Sequence, residues 1–268
     1  VAKSFSIRLR LTLATPNLLA VPPISTRALI LHGFPYGETS RILRLLTFDH
    51  GLRSVVAKGA QRPRNRFGGI LEPFTEGEAH FNLREGRELF TLTEFSLLRS
   101  RQAIGRDLGG FAAASLIAEL ALRFATEEPF PQLYAAAATA FDQLCDSTRS
   151  AAPSGLRSIW IIIGLLGYLP EMRACVRCGR DLPPDESSRF DAEAGGAACR
   201  GCRPTGRLIS GTFRSEILDM ASGNPNAPLW NPSNRTIHSA LLQTFLATHL
   251  TSDRPLRSLP LFMEQLKS

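Results

Sequence analysis

At 268 residues the chain is too long for one small module and long enough to bury one large core or two or three smaller ones, so folding needs no disulfide staples. A hydrophobic share of 44%, a charged share of 21% and sixteen Phe exclude a disordered chain, and the longest apolar run, Trp160 to Leu169, is too short to cross a bilayer as a helix. Thirty-one Lys and Arg against twenty-four Asp and Glu leave a net charge of +7, which favours nucleic acid, an anionic membrane surface or an acidic protein as partner.

Residues 1–25 carry Lys3, Arg8 and Arg10 and no acid, followed by LTLATPNLLAV. Pro16 and Asn17 break the apolar stretch and no clean A-x-A site follows, so the segment is expected to be an extended, poorly packed leader, or to reflect a start placed too early, and not a secretory signal. In a cytosolic chain the thiols stay reduced.

From Arg27 to about Leu98, apolar and β-branched clusters recur at short intervals and are broken by Gly, Pro or Asn, which predicts strands. The five candidates are RALILHGF, SRILRLLTF, LRSVVAKGA, PFTEGEAHFNL and RELFTLTEFSLL. Between the last two, Arg84-Glu85-Gly86-Arg87 supplies a hairpin turn, with Gly86 taking the positive φ. Five strands with little helix predict a small closed barrel over residues 26–100, with a small open sheet as the competitor.

The same region holds a basic stretch. GLRSVVAKGAQRPRNR, residues 51–66, contains Arg53, Lys58, Arg62, Arg64 and Arg66 and no acid, and residues 27–106 carry thirteen Arg plus Lys against eight Asp plus Glu. Cations at such density release counterions from phosphates and give affinity for nucleic acid with little sequence preference, although a solvated loop is the plain alternative. Their alternation with flexible neighbours suits following a backbone more than reading base edges. Phe67, Phe74, Phe81 and Phe90 offer stacking faces for unpaired bases, though core packing is the better reading of each taken singly.

After Arg106 the period changes to about 3.6, with Ile117, Leu120, Ala121 and Phe124 on one stripe and Glu119 paired with Arg123 on another. Segments 131–145, 156–169 and 234–250 read as helices too, so residues 101–268 are expected to form a mainly α-helical domain. Pro22-Pro23 and SGNPNAPLWNPSN, residues 222–234, are the clearest irregular connections.

Inserted in the helical half, residues 173–204 hold two CxxC knuckles, Cys175 with Cys178 and Cys199 with Cys202. Two facing pairs supply four thiolates for a tetrahedral zinc, and Gly179 and Gly201 let the backbone curl around it. Two disulfides or four unrelated thiols are the alternatives, and a redox CxxC is expected as a single pair at a helix start. With every position filled by thiolate no site is left for water or substrate, so one structural Zn2+ per chain is expected. Cys145 reads as a buried small hydrophobe.

Catalytic motifs are missing. None of His32, His50, His80, His238 and His249 is followed two residues later by Glu, and HExxH, GxxxxGK[ST] and GxSxG are absent. The expectation is a protein that is not an enzyme.

Tyr36 to Ser40 matches Y-x-E-[TS]-S, Gly51 to Gln61 matches G-x-x-x-x-V-A-K-G-A-R with Gln61 in place of Arg, and Leu71 to Phe74 matches L-x-P-F. In this order they resemble the opening of the bacterial RecO family of recombinational repair proteins, and the knuckles and the ending RPLRSLPLFMEQL are similar to that family as well. The resemblance implies an α+β multidomain protein: an N-terminal OB-fold, a helical C-terminal domain and a zinc module. It further implies binding of single- and double-stranded DNA, annealing of complementary strands, engagement of the C-terminal tail of the single-strand binding protein SSB, and a complex with RecR that loads RecA, in a cytoplasmic, nucleoid-associated setting. Carried over by position, Arg53, Lys58, Arg62, Arg64 and Arg66 match the family's basic strand and loop, with Arg41 and Arg44 on the neighbouring strand, and all seven are expected on phosphates. The leader has no counterpart in the family pattern. An acidic SSB tail with an apolar end implies a docking site that combines a cation with a hydrophobic pocket in the helical domain. The competing reading is an adaptor that docks RecR or SSB with only incidental DNA contact. Six Arg and five acids nearly cancel over 173–204, which argues against DNA contact by the zinc module.

Overall fold

Strand alternation in the first third of the chain sorts its apolar side chains onto two faces, and both faces are used. The computed structural model describes residues 23–82, 86, 88–146, 151–202, 205–224, 231–250 and 254–267. Strands β1 (Ile24–Tyr36), β2 (Ser40–Thr47), β3 (Gly51–Ala57), β4 (Glu76–Asn82) and β5 (Leu89–Arg99) close into a barrel in the order β1-β2-β3-β5-β4. Every neighbouring pair is antiparallel except β3 with β5, which run parallel and complete the OB-like closure. The open sheet is thereby excluded.

Inward residues such as Ile30, Leu43, Leu45, Val55, Phe81 and Leu92 form the barrel's own core. Residues of the opposite parity, Leu29, Leu31, Leu46 and Leu52, pack instead into the core of the helical half. One end of the barrel wall is therefore an inter-domain surface. The β2–β3 turn seals it: Gly51 has φ +62, and a Cβ there would lie 2.4 Å from the Glu128 carbonyl oxygen, so only glycine permits this approach. The Leu52 amide donates to Thr126 O at 2.7 Å across the same seam.

β1 starts at Ile24, in register with Phe81, and so takes in the last two residues of the expected leader, while residues 1–22 of that leader lie outside the described residues. The hairpin expected at 84–87 also lies outside them except for Gly86, whose φ is +73.

The helical half comprises α1 (Leu108–Phe124), α2 (Pro131–Asp146), α3 (Ala152–Leu165), α4 (Gly211–Ala221), α5 (Arg235–His249) and α6 (Leu259–Lys267). Asp107 caps α1, accepting from the Gly110 amide at 2.6 Å. α1 packs on α2, α3 and α6, and its small residues let α3 come close, since a Cβ on Gly155 would stand 2.5 Å from that of Ala113. The helix expected over 156–169 stops at Leu165 because Gly167, at φ +83, turns the chain out of it. Between α3 and α4 lies the cysteine module, with β6 (Ser188–Asp191), β7 (Gly196–Ala198) and β8 (Arg207–Ile209) in a small sheet ordered β7-β6-β8.

The L-x-P-F segment has a structural task. Phe74 sits at φ +69, a left-handed conformation unusual for an aromatic residue, and its ring enters the helical core with centroids 5.1 Å from Phe141 and 6.2 Å from Phe111. Two bonds hold the strained backbone: the Phe74 amide donates to Ile30 O at 2.7 Å, and Arg101 Nη1 donates to Phe74 O at 3.0 Å. Arg101 itself is wholly buried and also donates to Asp142 Oδ1 at 2.5 Å and Glu76 Oε2 at 2.7 Å. Tyr134 completes the network by donating to Glu76 Oε1 at 2.8 Å, and burial together with that carboxylate raises its pKa. The Arg101 guanidinium thus joins barrel and helices.

Candidate metal centre and nucleic-acid interface

Cys175 and Cys178 leave a tight turn in which the Gly179 amide donates to Cys175 O at 2.8 Å, and Gly179 takes φ +73 to complete it. Cys199 and Cys202 leave a second turn, closed by the Cys202 amide on Cys199 O at 3.2 Å. The four Sγ atoms converge within 4.8 Å of one another. Neighbouring sulfurs are 3.8 Å (Cys175 to Cys202), 3.9 Å (Cys178 to Cys199) and 3.7 Å (Cys199 to Cys202) apart. A tetrahedron with metal–sulfur bonds of about 2.3 Å has edges of about 3.8 Å, whereas a disulfide needs about 2.05 Å. The arrangement therefore fits a tetrahedral metal and excludes the two-disulfide alternative.

The thiols' electrostatics point the same way. Burial opposes ionisation of Cys175, yet amides from Cys199, Cys178 and Arg177 bring its pKa down to about 6. Hydrogen bonds with Cys178 and Cys199 push Cys202 up to about 12. Sulfurs this close cannot all shed their protons unless a cation compensates them. Cys145 is half-buried at the end of α2, outside the cluster.

The module is fastened to α4 by Arg214, which is almost wholly buried and meets carbonyls instead of a carboxylate. It donates to the oxygens of Met172 (2.7 Å), Leu182 (3.3 Å), Pro183 (2.5 Å) and Glu186 (3.1 Å). Burial lowers its pKa, which Glu186 partly opposes. Arg214→Met is expected to cost about 3 kcal/mol, since several buried acceptors lose their donor together. Urea unfolding measures this, and a loss under 1 kcal/mol would show that water replaces the guanidinium.

The seven cations expected on phosphates divide by strand parity. Arg41 and Arg53 are in register with inward Ala57 and Leu45, which directs them to the rims of the barrel. Arg41 pairs with Glu72 at 2.9 Å. Arg53 pairs with Glu127 Oε2 at 2.5 Å and donates to Glu127 O at 3.1 Å, so it ties the barrel to the α1–α2 link. Arg53 is thereby engaged at the domain junction, where its inward parity at the barrel rim brings it to Glu127.

The other five have no carboxylate partner among the described residues. Arg44 stands on the outer wall, in register with His32 and Ser54, with a buried Nε that meets no acceptor there. Lys58 and Arg62 come together in a hollow of about 540 Å3 with Tyr36, Ser40, Val56 and Thr91. Arg64 is exposed. Arg66 is exposed as well, with its guanidinium 4.8 Å over the Phe67 ring and Nη2 donating to Leu92 O at 2.9 Å.

The loop that carries them is ordered by its own side chains. Asn65 accepts from the amides of Phe67 (2.9 Å) and Gly68 (3.0 Å) and donates to Arg62 O at 3.0 Å, while Phe67 plugs the barrel. The Gln61 amide on Thr39 O, at 2.9 Å, ties the loop to the β1–β2 turn.

Core packing, the better reading of each Phe taken singly, is what the structure shows. Phe67, Phe74, Phe81 and Phe90 are all buried, three in the barrel core and Phe74 at the helices, so none can take a base. On the barrel strands the exposed Phe and Tyr rings are Phe34 (40%) and Tyr36 (51%) on β1. The alternation HxFxY in LILHGFPYG was the signal for them, because period-2 rings past the last core residue of a strand leave on one open face.

Residues 22–101 match the family model for the recombination protein O N terminal domain, and residues 105–260 match that for the C terminal domain. The DNA repair protein RecO of Anaeromyxobacter sp. (strain K) is 35% identical over 240 residues, covering 85% of this chain and 91% of that protein. That of Anaeromyxobacter dehalogenans (strain 2CP-1 / ATCC BAA-258) is 36% identical over 234 residues, covering 82% and 89%.

Proposed function

The chain belongs to the recombination protein O family of DNA repair proteins, and on that premise we propose that it is a non-enzymatic mediator that binds single- and double-stranded DNA and anneals complementary strands. The observation that carries the reading is the set Arg44, Lys58, Arg62, Arg64 and Arg66 on the closed barrel and its β3–β4 loop, which no carboxylate neutralises among the described residues and of which Lys58 and Arg62 share one hollow. Neutralising phosphates on two strands lowers their mutual repulsion and lets base pairing proceed, a process that requires no ATP.

The metal in this reading is Zn2+, one per chain, held by Cys175, Cys178, Cys199 and Cys202, because four soft thiolates in a tetrahedron suit it. It maintains shape and takes no part in a reaction. RecR and SSB are the proposed protein partners and RecA loading the outcome, in the cytoplasm at the nucleoid. In support of the SSB tail, a hollow of about 510 Å3 between β1 and α1 combines Leu31, Phe74, Phe111 and Leu122 with Arg257, beside Glu119, whose carboxylate is taken up by the Arg257 and Ser258 amides. That pairing of apolar wall and cation suits an acidic peptide with an apolar end. Among the described residues no helix is long and apolar enough to cross a membrane.

Titration of labelled single-stranded DNA at two salt concentrations tests the reading. Affinity is expected to fall steeply with salt, and Arg62→Ala, Arg64→Ala and Arg66→Ala combined should weaken binding tenfold or more, on the order of three lost phosphate contacts, and flatten the salt slope by about 2. Unchanged affinity in the triple variant moves the DNA surface elsewhere. Salt-independent binding in the parent chain favours the adaptor that docks only proteins.

A further inference from the structure

We propose that His32, Phe34 and Tyr36 form a base-stacking stripe on the outer wall of β1 that adds affinity for unpaired DNA and none for duplex. This inference rests on the DNA-binding reading above and adds to it the feature that separates one strand from two.

The three residues occupy alternate positions at the end of β1, so their side chains leave the same face at steps of about 6.6 Å. All three are exposed, and the His32 and Phe34 ring centroids lie 5.9 Å apart. Register makes the face an outer one. His32 pairs with Arg44, Phe34 with Ile42 and Tyr36 with Ser40, the parity opposite to the core residues Leu43 and Leu45. Barrel proteins bury aromatic side chains wherever the interior can take them, as this barrel does with Phe67, Phe81, Phe90 and Phe95. A line of rings left on the surface at strand period calls for a partner with flat apolar faces.

The charges around the stripe identify that partner. At the end near the helices Arg44 stands beside His32, half-buried and without a carboxylate among the described residues. At the other end Tyr36 lines the hollow that holds Lys58 and Arg62. Between Ala28 and Phe48 the sole acid is Glu38, in the β1–β2 turn, and Glu119 of α1, in the hollow that His32 also lines, already accepts from the Arg257 and Ser258 amides. An apolar protein surface satisfies the rings and wastes the cations. A polyanion with exposed π faces satisfies both, with bases on the rings and phosphates on the flanking cations. In a duplex those faces are already stacked on one another, so double-stranded DNA gains only the cations.

The double variant Phe34→Ala with Tyr36→Ala, made in the full chain, tests this by fluorescence anisotropy against a labelled oligothymidylate and a duplex of equal length. Single-strand affinity is expected to fall at least tenfold, duplex affinity to stay within twofold, and the salt slope for the single strand to remain unchanged because no phosphate contact is removed. Thermal melting checks that the variant is folded, and Tyr36→Phe, which keeps the ring, should bind as the parent chain does. Equal losses for both DNAs, or no loss while the arginine triple variant is still impaired, would overturn the stripe and leave the DNA-binding reading standing. If neither the rings nor the arginines matter, both fall.

Discussion

Arg101→Met is expected to destabilise the folded chain by about 3 to 5 kcal/mol, the usual cost of removing one partner from a buried ionic network. The Arg101 side chain has no exposure, and besides a long contact with Ala138 O at 3.5 Å it satisfies two carboxylates and one carbonyl, Glu76 at the start of β4, Phe74 O just before it and Asp142 on α2. Without it Glu76, whose side chain is 14% exposed, keeps only the Tyr134 hydroxyl. Asp142 keeps Arg99 at 2.9 Å, which compensates part of its charge and places the expected value at the lower end of the range. Phe74 loses one of the two bonds that hold its positive φ, so the strained turn between barrel and helices is released together with the charge. Arg101→Lys should recover little, because a single ammonium cannot present the planar fork that reaches all three acceptors. Urea unfolding with an unchanged m value measures the effect. Adding Glu76→Gln to Arg101→Met should be less damaging than Arg101→Met alone, since it removes a carboxylate that has lost its counter-charge. A loss under 1 kcal/mol, with no such rescue, would mean that packing alone docks the two halves.

The barrel was legible in the sequence because its signal is local: period-2 alternation with breaks at Gly, Pro and Asn is printed residue by residue. The knuckles were legible for the same reason, and the sulfurs of Cys175, Cys178, Cys199 and Cys202 converge closely enough to hold a metal ion. Parity was harder. Arg41 and Arg44 read as equivalent cations on one strand, but the three-residue step between them puts one on the rim against Glu72 and the other on the outer wall. Arg53 read as part of a basic run, while its partner Glu127 is 74 residues away and belongs to the other domain. Long-range pairs of this kind leave no mark on neighbouring residues. The Phe residues show the same limit: composition counts aromatic faces, and only closure of the barrel decides which are used up inside. Helix α4 escaped notice because its buried residues, Phe213, Arg214, Ile217 and Met220, include a charge that turns out to be a core residue.

Removal of the metal is expected to have the larger effect, and a selective one. Cys175, Cys199, Phe190 and Ala197 belong to the same buried cluster as Trp160, Phe213 and Phe245, so the module is part of the helical core and not an appendage. The binding free energy of four thiolates for zinc, on the order of 10 kcal/mol or more, is then largely folding free energy of that half. Elemental analysis should return about one zinc per chain. A strong chelator should lower the melting temperature and abolish the helical signal first, while the strand signal persists, because the barrel has a core of its own. Cys175→Ser should reproduce this, since the residue is buried and its sulfur also accepts the Cys199 amide at 3.3 Å. Cys178→Ser should be milder, as Cys178 is exposed, and Cys145→Ser should leave the metal content unchanged. Metal affinity should fall as pH falls, because every ligand must be a thiolate and protons compete for it. A chain that holds no zinc and melts identically with and without chelator would show that Arg214 and the apolar contacts alone fold the module, and that the four sulfurs converge without a metal to hold.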